Sequence, residues 1–208
     1  VVPGGTGNDF ARAFRLPKDP MAAFESQLAG EPVQIDCGRM NGKSFLNVSG
    51  SGFDVAVLEK TEELKAIYPG EKAYRKAVLS VLGRYKAFEA ELSIDGGKTT
   101  HEACTIVEIA NGQCIGGGMR VAPDARLDDG YFDVVVVKKV PRILIPLLLP
   151  MFILGWHTKI GLARVVRAKA VTLRAKNMTV NLDGKLLRVD GARYEILPGA
   201  IRMQKPRL

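Results

Sequence analysis

The chain has 208 residues, 47% of them hydrophobic and 25% charged, proportions that suit a packed globular protein and exclude a disordered one. Three cysteines (Cys37, Cys104 and Cys114) without metal-ligand spacing exclude a disulfide scaffold and point to a reducing compartment. The net charge of +8 is uneven: Lys159 to Leu208 carries +9 and Val1 to Thr158 carries −1, and with no aromatic ladder beside the cations a solvated face is favoured over nucleic-acid binding.

Val1-Val2 reads as a strand end running into Pro3-Gly4-Gly5, a place where a natural domain seldom starts, so an upstream segment is expected. Asp9 to Leu16 has the apolar spacing of a short helix stopped by Pro17, and Pro20 to Leu28 that of a second helix ended by Gly30. Val33, Ile35 and Cys37 alternate with polar residues as in a strand, Asn41-Gly42 predicts a hairpin turn, and Phe45 to Val48 is its return strand. Ser49 to Gly52 reads as a small-residue loop, and Glu59 to Phe88 as helix interrupted at Pro69-Gly70.

Glu89 to Ile94, Cys104 to Ala110 and Val165 to Arg174 read as strands, as does Tyr131 to Val137, whose near-continuous apolar run predicts burial on both faces. Met178, Val180 and Leu182 alternate towards a turn at Asp183-Gly184; Asp190-Gly191 predicts another, and Tyr194 to Leu197 and Ile201 to Met203 close the sheet. Six Asx-Gly pairs argue for many hairpins, and so for a β-rich α+β fold: a β-sandwich with one helical excursion. Ile143 to Trp156 is the most hydrophobic stretch; at 14 residues, broken by Pro146 and Pro150, it is too short to span a bilayer and reads as a buried or docking helix, with a greasy-substrate lid or wall or an interfacial anchor as the alternative. His101 and His157 are isolated and read as surface or capping residues.

Two motifs point to chemistry. In Pro3-Gly4-Gly5-Thr6-Gly7-Asn8-Asp9, three glycines let backbone N–H groups approach an anion, Thr6 adds a hydroxyl, a helix start faces the same place, and Arg12 follows one turn on. It lacks the Gly-Lys-Ser/Thr element of a Walker loop, and helix capping by Asn8 or Asp9 explains it equally well. In Asn111-Gly112 and Gly116 to Asp133, three adjacent glycines precede Asp124, Asp128, Asp129 and Asp133, four carboxylates that suit a hard divalent cation or, in Asp128-Asp129-Gly130, a plain turn.

These motifs, with Ile35-Asp36-Cys37-Gly38, Phe45 to Asp54 and Leu197-Pro198-Gly199-Ala200, resemble the bacterial diacylglycerol kinase-type lipid kinases, relatives of sphingosine and ceramide kinases, over essentially the whole chain. The resemblance implies that residues 1–30 are the tail of an α/β nucleotide-binding domain and 31–208 a carboxy-terminal β-sandwich, with the active site in the cleft between them. It implies ATP and Mg²⁺ as cofactors, Gly4, Gly5, Thr6, Asn8, Asp9 and Arg12 at the nucleotide, and Mg²⁺ held by Asp129 and the backbone carbonyls of Arg126 and Tyr131, with Asp36 and Asp9 linked to the ion through water. Nothing in the chain matches the family's Gly-Gly-Asp-Gly-Thr, so the fragment alone is expected to be inactive. The family's Asp-Gly-Glu is here Asp183-Gly184-Lys185, which implies Asp183 as the base and leaves competence open.

The implied reaction of the intact protein is ATP-dependent phosphorylation of a lipid hydroxyl, diacylglycerol giving phosphatidic acid. The implied setting is cytoplasmic and peripheral to an anionic membrane, with no nucleic-acid partner and homodimerisation allowed. An NAD kinase-like phosphotransferase and a non-catalytic lipid- or nucleotide-binding relative are the alternatives.

Overall fold

Local chemistry sets most element boundaries in the computed structural model, which describes residues 1–5, 7–69 and 71–207. Helix α1 (Asp9–Ala13) is one turn long, and Arg15, at φ 58°, turns the chain out of it. Helix α2 (Pro20–Leu28) starts as a helix should: Asp19 accepts from Ala22 N–H at 2.8 Å and Pro20 occupies the first turn, where its missing donor costs nothing. Strands β1 (Glu31–Met40) and β2 (Lys43–Phe45) are joined at Asn41-Gly42, both with positive φ (47° and 81°), the primed geometry that matches strand twist.

Strand β3 (Val48–Gly52) leads into helices α3 (Phe53–Lys65) and α4 (Glu71–Arg84). Then come β4 (Phe88–Ile94), β5 (Thr100–Ala110) and β6 (Phe132–Lys138), helix α5 (Ile145–Leu154), β7 (Arg164–Ala168), β8 (Ala170–Leu182) and β9 (Lys185–Lys205). Among the described residues these strands form one antiparallel sheet in the order β2-β1-β9-β8-β3-β5-β6-β7. Strand β4 lies off that path. It and β3 fill the gap between β5 and β8 at opposite ends: β3 pairs with Ile106–Ala110 and Asn181–Leu182, β4 with Thr100–Cys104 and Val171–Arg174.

The sheet curls until its two ends face each other. Met40 and Phe45 from one end share a buried cluster with Phe132, Val134, Val136 and Ala168 from the other, and the Phe45 and Phe132 rings stack 5.7 Å apart. Each such ring stabilises the fold by about 2–3 kcal/mol through burial. This is the expected β-sandwich, its leaves continuous through β3 and β4. Strand β6 is buried on both faces as its sequence predicts: Val134 and Val136 face the main core, while Val135 and Val137 face a second cluster with Val48, Val121 and Phe152.

Several expectations are corrected. Ser49 to Gly52 is strand, not loop; its small residues serve close packing, since a Cβ on Gly50 would stand 2.4 Å from a Glu108 oxygen and 2.7 Å from one of Asp54. Only Lys43–Phe45 returns against β1, while Val48 pairs with β5. Val165 to Arg174 is two strands that part at Lys169, where the N–H groups of Lys169 and Ala170 both donate to Asp95 Oδ1 at 2.8 Å. Asp190-Gly191 is not a turn but lies within β9, Gly191 opposite Arg174. Strand β9 is likewise unbroken from Tyr194 to Met203, bulging at Pro198 to Ala200 opposite Asp36.

The hydrophobic helix is neither broken by its prolines nor a core helix: Pro146 stands in its first turn, Pro150 lies inside it, and Gly155 ends it at φ 74°. Of α5 only Ile145 and Phe152 are buried, one at each end. His157 is not a surface residue: fully buried, it stacks on Phe152 at 4.0 Å, its Nε2 meets the Val121 carbonyl at 2.9 Å, and its Nδ1 faces the Met151 carbonyl in the last turn of α5 at 3.4 Å. Burial lowers its pKa, so it is a neutral packing residue.

Candidate active site

The loop from Pro3 to Asp9 first closes on itself. Asn8, at φ 51°, does not cap α1; its amide grips Gly5 instead, accepting from Gly5 N–H at 2.9 Å and donating to the Gly5 carbonyl at 2.6 Å. Arg12 Nε donates to the Gly7 carbonyl at 3.3 Å, and Gly4 and Gly5 are exposed. Thr6, the expected hydroxyl donor, lies outside the described residues. Because α1 has only five residues, its dipole adds little, and open backbone plus the Arg12 guanidinium are what this loop offers an anion.

The second glycine-rich segment packs against the first. Gly117 N–H donates to both Asp9 oxygens, at 3.0 and 3.1 Å. Arg12 lies over Gly118, its guanidinium carbon 3.6 Å from where a Cβ would be. Gly116, Gly117 and Gly118 hold φ values of 60°, 88° and 118°, a run that side chains resist. Asp9 therefore works as a clasp between the two loops.

Two buried asparagines, which lie within the sequence motifs but were given no role there, connect these loops to the other candidate residues. Asn47 Nδ2 donates to the Cys114 carbonyl at 2.8 Å, just before the glycine run, and its own carbonyl accepts from Asn111 and Gly112 N–H. Asn111 Nδ2 donates to the carbonyls of Leu46 at 2.7 Å and Asp36 at 3.2 Å. Asp183 then fixes the same segment: its Oδ2 accepts from Leu46 N–H at 2.6 Å, and its Oδ1 from Asn47 and Val48 N–H, each at 3.0 Å. Burial raises the Asp183 pKa, and these three donors oppose the rise. The sequence signal was indirect: each asparagine sits at the end of an apolar strand, Asn47 just before β3 and Asn111 just after β5, where a buried amide needs partners that only the fold can supply.

Asp36 is 2% exposed and clamps two distant loops: Oδ2 accepts from Gly130 N–H at 2.7 Å and Oδ1 from Gly199 N–H at 2.8 Å. It lines an open depression of about 760 Å³ with Asp128, Asp129, Tyr131 and Lys169. Asp129 Oδ1 accepts from Tyr131 N–H at 3.1 Å, while Oδ2 is held by Arg167, whose guanidinium also lies 4.4 Å over the Tyr131 ring. Arg126 pairs with Asp128 at 3.2 Å. Asp133 is pushed up by burial first, then by Asp129. This crowding of negative charge fits a divalent cation, although Arg167 already shares the Asp129 carboxylate. Among the described residues no three His, Cys, Asp or Glu side chains converge on one point, so a cation here would rest on Asp129 and loop carbonyls.

The described candidate residues therefore fall into two groups, Gly4, Gly5, Asn8, Asp9 and Arg12 at the glycine-rich edge and Asp36, Arg126, Asp129 and Tyr131 around the acidic depression, with Asp183 behind the segment that bridges them. Sequence reasoning also missed a buried acid pair. Asp54, at the start of α3, and Glu108, in mid-β5, meet above Gly50, and among the described residues no other group donates to either Glu108 oxygen. Burial lifts Asp54 to about 6 and Glu108 well above its usual range, the latter raised further by the Asp54 charge.

Comparison with known proteins places the chain in a family. The family described as the YegS C-terminal NAD kinase beta sandwich-like domain matches residues 47–205, and the diacylglycerol kinase catalytic domain matches residues 1–40. A diacylglycerol kinase of Mycobacterium tuberculosis is 30% identical over 213 residues, covering 100% of this chain and 69% of its own. One from Staphylococcus aureus is 31% identical over 187 residues, covering 89% and 59%. A solved Bacillus anthracis structure, provisionally assigned as a diacylglycerol kinase, superposes with a TM-score of 0.77 at 25% identity, covering 98% of this chain and 67% of that one. The chain belongs to the diacylglycerol kinase family.

Proposed function

We propose that the whole protein transfers the γ-phosphoryl group of ATP to a lipid hydroxyl, diacylglycerol giving phosphatidic acid. The observation that carries this reading is the Asp9 clasp: it brings the two glycine-rich loops together beside the Arg12 guanidinium, and close glycine backbone next to a fixed cation is a setting that suits a polyphosphate. Gly4, Gly5, Thr6, Asn8 and Arg12 would line the nucleotide, and residues 1–30 would close the carboxy-terminal side of a nucleotide-binding domain. Asp129, with the carbonyls of Arg126 and Tyr131, would hold Mg²⁺, which when bound supplies positive charge beside the phosphates. Asp9 and Asp36, whose oxygens accept backbone N–H bonds, would orient the surrounding loops and reach the ion through water.

Asp183 is the proposed acceptor of the hydroxyl proton. Burial makes its carboxylate more basic, and the three N–H donors fix its position. Exposed Lys185, in place of the acid the family pattern carries, favours a second reading in which the protein binds lipid or nucleotide without turnover.

The test is ATP–Mg²⁺ phosphorylation by the full-length protein of diacylglycerol, ceramide, a sphingoid base and NAD. Labelled phosphatidic acid is expected; labelling of NAD alone, or of nothing, overturns the proposal. Asp183→Asn in the same protein is expected to lower turnover at least about 100-fold, and retained turnover removes Asp183 as the base.

A further inference from the structure

Helix α5 is buried at two points; between them Leu148, Leu149 and Met151 are half-buried and Leu147 is exposed. Ile145 plugs the cluster formed by Phe53, Val57 and Ala77 under α3 and α4, and Phe152 sits on His157. The side chains pointing elsewhere are large and apolar: Ile143 is 82% exposed, Leu147 68%, Trp156 55% and Ile160 57%, with Ile153 and Leu154 near one half. A monomer in water has no use for so contiguous an apolar ridge. No helix among the described residues is long and apolar enough to cross a membrane, so the ridge is not a span.

The charge around the ridge identifies its partner. Between Asp133 and Asp183 there is no Asp or Glu, while nine Lys and Arg occur. Lys138, Lys139 and Arg142 precede the ridge and Lys159 interrupts its far end, all exposed. A second copy of the chain packed symmetrically on this face would set these cations against their own equivalents, which disfavours a self-interface. A bilayer with anionic headgroups satisfies both features at once: apolar side chains enter the acyl boundary while cations stay among the phosphates, and Trp156 lies at the level that indole prefers.

We infer that the segment Arg142 to Ile160 is a membrane-docking wedge that inserts Ile143, Leu147, Leu154 and Trp156 into the interface of an anionic bilayer. This rests on the lipid-kinase reading for its purpose, since an enzyme with a membrane-resident acceptor must reach it, but the insertion is a separate physical event.

Trp156 is the only tryptophan, which makes the test direct. The full-length protein, with any tryptophan other than Trp156 replaced by phenylalanine, is mixed with vesicles of phosphatidylcholine containing 30% phosphatidylglycerol, some with brominated acyl chains. Blue-shifted, bromine-quenched emission is expected, with partitioning weakened at least about tenfold by Leu147→Ser/Leu154→Ser, by high salt or by pure phosphatidylcholine. Unquenched emission with both vesicle types, or partitioning unchanged in the double variant, overturns the wedge, as does an emission shift that depends on protein concentration without vesicles. Phosphorylation of diacylglycerol in detergent micelles by the unmodified protein separates the two readings. Activity there without vesicle insertion removes the wedge and keeps the kinase, whereas insertion without activity does the reverse.

Discussion

Two sets of carboxyl groups hold this fold together in opposite ways. Asp36 and Asp183 each accept backbone N–H bonds on both oxygens, five donors in all. Asp54 and Glu108 have chiefly each other, and Gly50 is bare so that they fit. The first arrangement turns carboxylates into crosslinks between loops distant in sequence. The second keeps acid protons in the protein and leaves α3 resting on groups that prefer to be neutral. A buried acid is thus a rivet or a weak point according to its donors, and in this fold the rivets lie under the candidate site while the weak point lies under the helices.

The sharpest way to break that contrast is Asp36→Ala. It strands the Gly130 and Gly199 N–H groups, and a loss of about 3 kcal/mol in urea unfolding is expected; a loss below about 1 kcal/mol would show that the clamp is dispensable. Next comes Gly50→Ala, expected to cost about 2 kcal/mol because the added methyl meets both acids, with most of the loss recovered when Glu108→Ala is combined with it. Failure of that rescue would mean the strain comes from backbone and not from the acid pair.

The gentlest change, Glu108→Gln, sharpens the comparison through pH. A carboxyl whose pKa is raised on folding binds its proton more tightly in the folded state. Its stability contribution is complete below the unfolded value near 4 and is lost as pH rises through the folded value, about 6 for Asp54. The wild-type chain should therefore lose stability across that window on account of this pair. The variant, which offers Asp54 an amide donor, should lose less and be about 1 kcal/mol more stable than wild type at pH 8. An identical pH slope in both proteins would remove the pair from the account.

The sequence disclosed the fold wherever structure is written locally. Asn41-Gly42 and Asp183-Gly184 adopt the positive φ values that their turns require, and the valines of β6 declare burial on two sides. Asp190-Gly191 carries the same letters, yet pairing of β9 with β8 overrides the local preference, as tertiary context does. The candidate site was half legible: glycine runs and acidic loops can be seen, but Asn47 and Asn111 gain their meaning only from carbonyls brought close by the sheet. Helix α5 was misjudged for a different reason. Hydropathy reports that a side chain avoids water, not which partner shelters it.

Strand β9 has a consequence for how the molecule is made. It is the last of the nine strands in sequence, and it hydrogen-bonds to β8 on one side and to β1, the first strand, on the other: Glu31 pairs with Lys205, and Met40 with Tyr194. During synthesis β1 must wait, unpaired along that edge, until more than 150 further residues have emerged. Assembly of the sandwich is therefore a late, closing event of high contact order, and the waiting edges of β1 and β8 are where a half-made chain is most open to wrong pairings or to a chaperone.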